Sequence, residues 1–199
     1  MWAGCRVGLL GGSFNPAHGG HLLLSRLALA RLELDAVWWL VSPQNPLKPA
    51  AGMAPLAVRV DRARRAVGDP RIVVSDLEAQ LGTRHTADTL GALARRFPRT
   101  RFVWLMGADA LAEIPRWRRW TRIFHLVPVA IFDRPSYSFR ALGGIVVSRF
   151  ARHRMAESQA GRLADRRPPA WIFIHSRLHP ASASALRGER ALGVRITGN

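Results

Sequence analysis

Apolar residues along this chain come in two rhythms. Short, nearly unbroken runs occur at 6–10 (RVGLL), 36–42 (AVWWLVS), 71–75 (RIVVS), 101–107 (RFVWLMG), 126–132 (LVPVAIF) and 169–175 (PAWIFIH). Runs of this length, stopped by Gly, Pro or polar residues, suit strands buried on both faces of a parallel sheet. Between them the spacing becomes helical. Leu23, Leu27, Ala30 and Leu34 form a stripe that predicts a helix over 19–34. Pro55 suits the first position of a second helix, whose Leu56, Val60, Ala63 and Val67 share one face. A third helix is expected over 86–97, with Leu90, Leu93, Ala94 and Phe97 inward, and a short final one over 182–190. Residues 143–168 are basic, Pro-flanked and only weakly periodic, and are expected to form an exposed excursion.

Strand–helix alternation predicts an α/β fold built on a doubly wound, Rossmann-like parallel sheet. No internal repeat or linker interrupts it, so a single domain over 1–199 is expected, with its core at about 6–187. A chain of 199 residues can bury such a core without disulfides or a structural metal. One cysteine, Cys5, excludes an internal disulfide and is expected to be buried and inert. The early apolar run is too brief for a signal segment, and no stretch approaches the roughly 18 apolar residues of a membrane span. A soluble, cytoplasmic protein is expected.

Charge changes the picture less than its size suggests. Thirty Lys+Arg against 13 Asp+Glu give +17, which favours anionic partners. Arginine is nevertheless spread along the whole chain, and alanine, glycine and proline are abundant, which points to coding bias as the main source. Inside the sum lies a sharper fact: Lys48 is the only lysine among thirty cations. An ordinary surface lysine would explain it, but so would a need for a compact ammonium.

The chemistry concentrates in the turn after the first strand, GGSFNPAHGGH (11–21). Gly11 and Gly12 permit a tight turn and close backbone approach, and Ser13 adds a hydroxyl. His18 and His21 are three apart at a helix start, so they share a face beside its positive end. Free N–H groups, dipole and imidazoles would converge on an anion. The string is neither a P-loop nor a GxGxxG fingerprint. Further on, Gly107, Ala108 and Asp109 are read as the end of the fourth strand. Asp109 suits either a ribose hydroxyl or a helix N-cap.

This turn resembles the (G/T)xFxPxHxGH element of the nucleotidyltransferase superfamily, with His18-Gly19-Gly20-His21 as HxGH. The chain is similar to the bacterial nicotinate-nucleotide adenylyltransferase family in particular. That similarity is carried by SPQNPLKP (42–49), RHTADTL (84–90), GADALAEIPRWRRW (107–120), DRP (133–135) and SASALR (182–187). The resemblance implies transfer of AMP from ATP to nicotinate mononucleotide, giving nicotinate adenine dinucleotide and pyrophosphate, with Mg²⁺ carried on ATP. It implies that Gly11, Gly12, Ser13, Phe14, His18, His21, Gly107, Asp109, Ser184 and Arg187 bind ATP. His18, His21, Lys48 and Arg187 would act on the phosphates during transfer. Lys48, Thr86, Trp117, Arg118 and Arg134 would hold the acceptor, with Trp117 stacked on the pyridine ring and Trp120 left to packing. Ala183 replaces a serine usual in the last element, and Ser136 replaces the glycine that commonly follows DRP's proline.

Two other readings stand beside this one. The same fold can take a different acceptor: nicotinamide mononucleotide, phosphopantetheine, or an alcohol phosphate with CTP. Acid against amide is not written in the residues. A non-catalytic, basic nucleic-acid-binding module would use the charge and the arginines of 149–167, but no RNA-reading motif occurs and both histidines are intact. Neither nucleic acid nor membrane is the expected partner, and the sequence leaves the oligomeric state open.

Overall fold

The computed structural model describes residues 2–44, 51–133 and 144–175. Its elements, in order, are β1 (Arg6–Gly12), α1 (Gly19–Arg31), β2 (Ala36–Val41), α2 (Leu56–Ala66), β3 (Ile72–Ser75), α3 (Leu77–Gln80) and α4 (Thr86–Arg96). There follow β4 (Arg101–Gly107), α5 (Ala108–Glu113), α6 (Trp120–Leu126), β5 (Val129–Phe132), α7 (Ile145–Arg149), β6 (Arg154–Met155) and β7 (Trp171–Ile174). The strands form one sheet in the order β3-β2-β1-β4-β5-β7-β6. Every pairing is parallel, so the doubly wound sheet expected from the alternation is the one that forms.

The apolar runs are continuous because both faces are covered. In β2 every residue is buried: Val37, Trp39 and Val41 enter one core, Ala36, Trp38 and Leu40 the other. The first core packs against α1, α2 and a 3-10 segment, Glu157–Asp165; the second packs against α4, α5 and α6. A switch in strand order falls between β1 and β4. The two pair from Arg6↔Arg101 to Leu10↔Leu105 and then part. Beyond that point Gly11 and Gly12 pair only with β2, while Met106 and Gly107 pair only with β5. The carboxyl ends of β1 and β4 therefore splay apart, opening the crevice where such sheets bind ligands.

Several expectations change. On α1 the buried face is Leu24, Ser25, Ala28 and Leu29, whereas Leu23 and Leu27 are half-buried and Ala30 is exposed. Apolar residues surround this helix almost evenly, so spacing alone could not choose its face. Pro55 is the N-cap of α2 rather than its first residue. Leu126 ends α6 and the fifth strand begins only at Val129, because Pro128 cannot donate to a ladder. Cys5 is half-buried. The basic segment is not an exposed excursion in the described part: Val146, Phe150, Ala160, Leu163 and Ala164 are all buried. It adds the short edge strand β6, paired with β7. The expected helix over 182–190 lies outside the described residues.

Candidate functional site

Residues 12–21 leave the sheet at the crevice and bring the sequence motif to one place. His18 adopts extended backbone and N-caps α1, its Nδ1 accepting the Gly20 N–H at 3.1 Å. His21 closes the reciprocal contact, its Nδ1 accepting the His18 N–H at 3.3 Å. The two rings lie 3.9 Å apart between centroids, and His18 is buried to 8% exposure. Because each Nδ1 accepts a backbone N–H, the ring proton of each imidazole sits on Nε2. Two Nε2–H donors thus stand beside the positive end of a helix, a combination suited to phosphate oxygens.

The pair is braced from beneath. Phe14 holds a left-handed backbone (φ 45), unfavourable for a bulky residue, and buries its ring against Trp39 at 4.9 Å and His21 at 4.6 Å. Trp39 Nε1 donates to Ser25 Oγ at 2.7 Å, which donates to the His21 carbonyl at 2.8 Å. Gly11 is obligatory for space. A Cβ there would stand 2.5 Å from the Trp104 ring, which is itself buried.

Two buried charged residues that carry no mark in the sequence lie below the same loops. Arg59, 1% exposed, donates from Nη1 to the carbonyls of Ser13 (2.6 Å) and Ser42 (2.7 Å). It also donates from Nη2 to Pro43 (2.8 Å) and from Nε to Ala54 (2.8 Å). Burial lowers its pKa. Glu78 is buried on α3, and burial pushes its pKa up to about 7 against the restraining hydrogen bond of Ser42. The reasons they go unmarked are simple: one arginine among 29 does not stand out, and α3 is too short to show a period.

The other described candidates lie on α4, on α5 and in the turn before α6. Gly107 ends β4 and N-caps α5, so Ala108 and Asp109 are helical rather than part of the strand, and the N-cap alternative for Asp109 falls to Gly107. Thr86 opens α4. Asp88, two residues on, sits 3.7 Å from Arg119, joining the start of α4 to the turn before α6. That turn carries half-buried Trp117 and exposed Arg118. Trp120 packs edge-on against Phe124 (6.3 Å) and Phe150 (6.1 Å), in keeping with its expected packing role. Lys48, Arg134, Ser184 and Arg187, with the departures at Ser136 and Ala183, lie outside the described residues.

Known proteins share this frame. The cytidylyltransferase-like family model matches residues 9–189. The chain is 52% identical over 182 residues to a "Probable nicotinate-nucleotide adenylyltransferase" of Bradyrhizobium sp. (strain ORS 278), covering 92% of this chain and 95% of the relative. A protein of the same name from Gluconobacter oxydans (strain 621H) is 50% identical, with 92% and 93% covered. In fold the chain is similar to Plasmodium falciparum nicotinic acid mononucleotide adenylyltransferase complexed with NaAD. The TM-score is 0.68 at 17% identity, over 92% of this chain and 83% of that one. With the fold, the HxGH turn at the switch point and these relatives in agreement, the chain belongs to the cytidylyltransferase-like nucleotidyltransferases and, within them, to the nicotinate-nucleotide adenylyltransferase family.

Proposed function

We propose that this protein transfers AMP from ATP to nicotinate mononucleotide, giving nicotinate adenine dinucleotide and pyrophosphate. The observation that carries this reading is the interlocked His18–His21 pair, with both Nδ1 atoms engaged by the backbone, at the helix end that faces the β1–β4 crevice. A phosphate oxygen of the mononucleotide attacks the α-phosphorus of ATP in line. The new P–O bond forms as the bond to the bridging oxygen breaks, and that oxygen leaves with pyrophosphate. The attacking monoester is already largely ionised near neutral pH, so no strong general base is needed. Catalysis then rests on positioning and on stabilising the charge that builds at the α-phosphoryl and leaving groups.

His21 donates to the α-phosphoryl oxygens and His18 to the neighbouring phosphates. Gly11, Gly12, Ser13 and Phe14 let the triphosphate approach the backbone, while Gly107 and Asp109 meet the nucleoside. Lys48, Ser184 and Arg187 are assigned to phosphates, and Arg134 with Arg118 to the acceptor. Thr86 offers its helix-start N–H to the nicotinate carboxylate, and Trp117 stacks on the ring. Members of this family generally act on ATP with a divalent ion; we take it to be Mg²⁺, entering on the triphosphate as part of the substrate. Among the described residues no three His, Cys, Asp or Glu side chains converge on one point. No helix among them is long and apolar enough to cross a membrane, and a cytoplasmic location is proposed.

The test is pyrophosphate release from ATP with nicotinate mononucleotide, run on the wild type and on His21→Ala. Turnover by the wild type, with kcat lowered by about 10²-fold or more in a variant that still folds, is expected. No wild-type turnover overturns the reaction, and His21→Ala activity within a few-fold of wild type overturns the role of His21. Nicotinamide mononucleotide in the same assay decides acid against amide by its kcat/KM.

A further inference from the structure

Arg59 stands out among the described arginines because it is buried, and no acidic partner for it occurs among the described residues. Removing a guanidinium from water is costly unless its donors are satisfied. Here four hydrogen bonds engage four of its five N–H groups, and all four acceptors are backbone carbonyls: Ser13, Ser42, Pro43 and Ala54. These carbonyls belong to separate pieces of chain. Ser13 lies in the turn after β1, Ser42 and Pro43 at the exit of β2, and Ala54 just before α2. Arg59 itself sits one turn inside α2, whose buried residues Val60 and Ala63 fix it to the sheet.

The Ser13 contact bears on the histidines. In a planar trans peptide, carbonyl and N–H point in opposite directions. Drawing the Ser13 carbonyl toward Arg59 therefore turns the Phe14 N–H to the other side of the turn. It also sets the plane from which the left-handed Phe14 departs, and the Phe14 ring lies 4.6 Å from His21. The Ser42 contact works in parallel, because the Ser42 N–H donates to the Gly12 carbonyl at 2.9 Å. One side chain thus holds both the turn bearing His18 and His21 and the strand end beside it. We propose that Arg59 is a positioning residue of adenylyl transfer, locking the β1–α1 turn to the exit of β2 so that the His18–His21 pair is presented in its reactive geometry. This rests on the proposed reaction. Arg59 is not expected to touch either substrate.

Arg59→Lys keeps the charge but offers donors from a single nitrogen, which cannot span four carbonyls. In this variant kcat should fall by about 10²-fold, the scale of a small misplacement, with KM for nicotinate mononucleotide changed by less than about threefold. A second readout does not depend on turnover. Long-range ¹⁵N–¹H spectra should report His18 and His21 as Nε2–H tautomers in the wild type, and that signature should become mixed or broadened in Arg59→Lys. Wild-type kcat, or an unaltered His21 signature, in folded Arg59→Lys overturns the proposal. If the wild type shows no adenylyl transfer, the reaction fails, while the imidazole signature still decides the role of Arg59. Arg59→Gln, with two donors on a neutral planar amide, is read in the same way should Arg59→Lys not fold. Loss of fold in both variants assigns Arg59 to stability alone and also overturns it.

Discussion

At the residue scale, the histidines and the buried charges differ in how openly they can be read. His18 and His21 announce themselves because their chemistry depends on spacing, and a separation of three at a helix start places them on one face. What spacing cannot show is that each Nδ1 is occupied by a backbone N–H of the same turn, which fixes the proton on Nε2. Glu78 is invisible in the sequence, since a carboxylate in a polar stretch is ordinarily solvated. Its burial raises its folded-state pKa from an ordinary 4.5 to about 7. For an acid the sign follows directly: the neutral form is favoured in the fold, so its contribution is fully present below about 4.5 and is lost as pH rises to about 7. The loss corresponds to about 3 kcal/mol. Glu78→Gln should therefore match the wild type in denaturant unfolding near pH 4 and exceed its stability near pH 8. Equal stability of the two proteins at pH 8 would contradict the burial cost.

At the element scale, the strands are legible and the faces of helices less so. The runs that predict β2 and β4 agree with the observed strands to within a residue, because doubly covered strands must be apolar at every position. On α2 the expected stripe is buried at Val60 and Ala63 and half-buried at Leu56 and Val67, and on α4 Leu90 and Leu93 are buried while Ala94 and Phe97 are half-buried. On α1 the surplus of leucine hides the face, and only packing against β1 and β2 selects Leu24 and Ala28 over Leu23 and Ala30. The short elements α3, α5 and α6 carry too few residues for a period to emerge. Gly11 shows how one element constrains another: its missing Cβ is the space occupied by Trp104 of β4. Gly11→Ala should destabilise the protein by about 1–3 kcal/mol through overpacking, and Trp104→Phe in the same chain should return part of that loss. A double-mutant cycle in urea measures the coupling, and strict additivity would place the strain elsewhere.

At the scale of the whole molecule, the basic segment after β5 differs most between pattern and fold. Its arginines face solvent, but Leu163 is fully buried and Ala160 and Ala164 nearly so, and Asp165 pairs with Arg6 of β1 at 2.7 Å. The stretch contributes to both faces of the sheet, Val146 and Phe150 to one core and Ala160, Leu163 and Ala164 to the other. Leu163→Ala should accordingly cost about 2–4 kcal/mol by thermal or denaturant unfolding, while neighbouring Arg162→Ala stays within about 0.5 kcal/mol. Similar small effects for both would return the segment to the surface. By itself, the sequence determined the α/β class, the strand runs and the identity of the HxGH turn, because hydrophobic periodicity and the HxGH spacing are local properties. Tertiary structure alone decided that β1 and β4 part after Leu10 and Leu105, that a single arginine ties three loops together, and that apolar residues within a charged stretch are core. Those features arise from contacts between residues far apart in the chain, and a buried guanidinium or carboxylate is recognisable only once its solvent has been taken away.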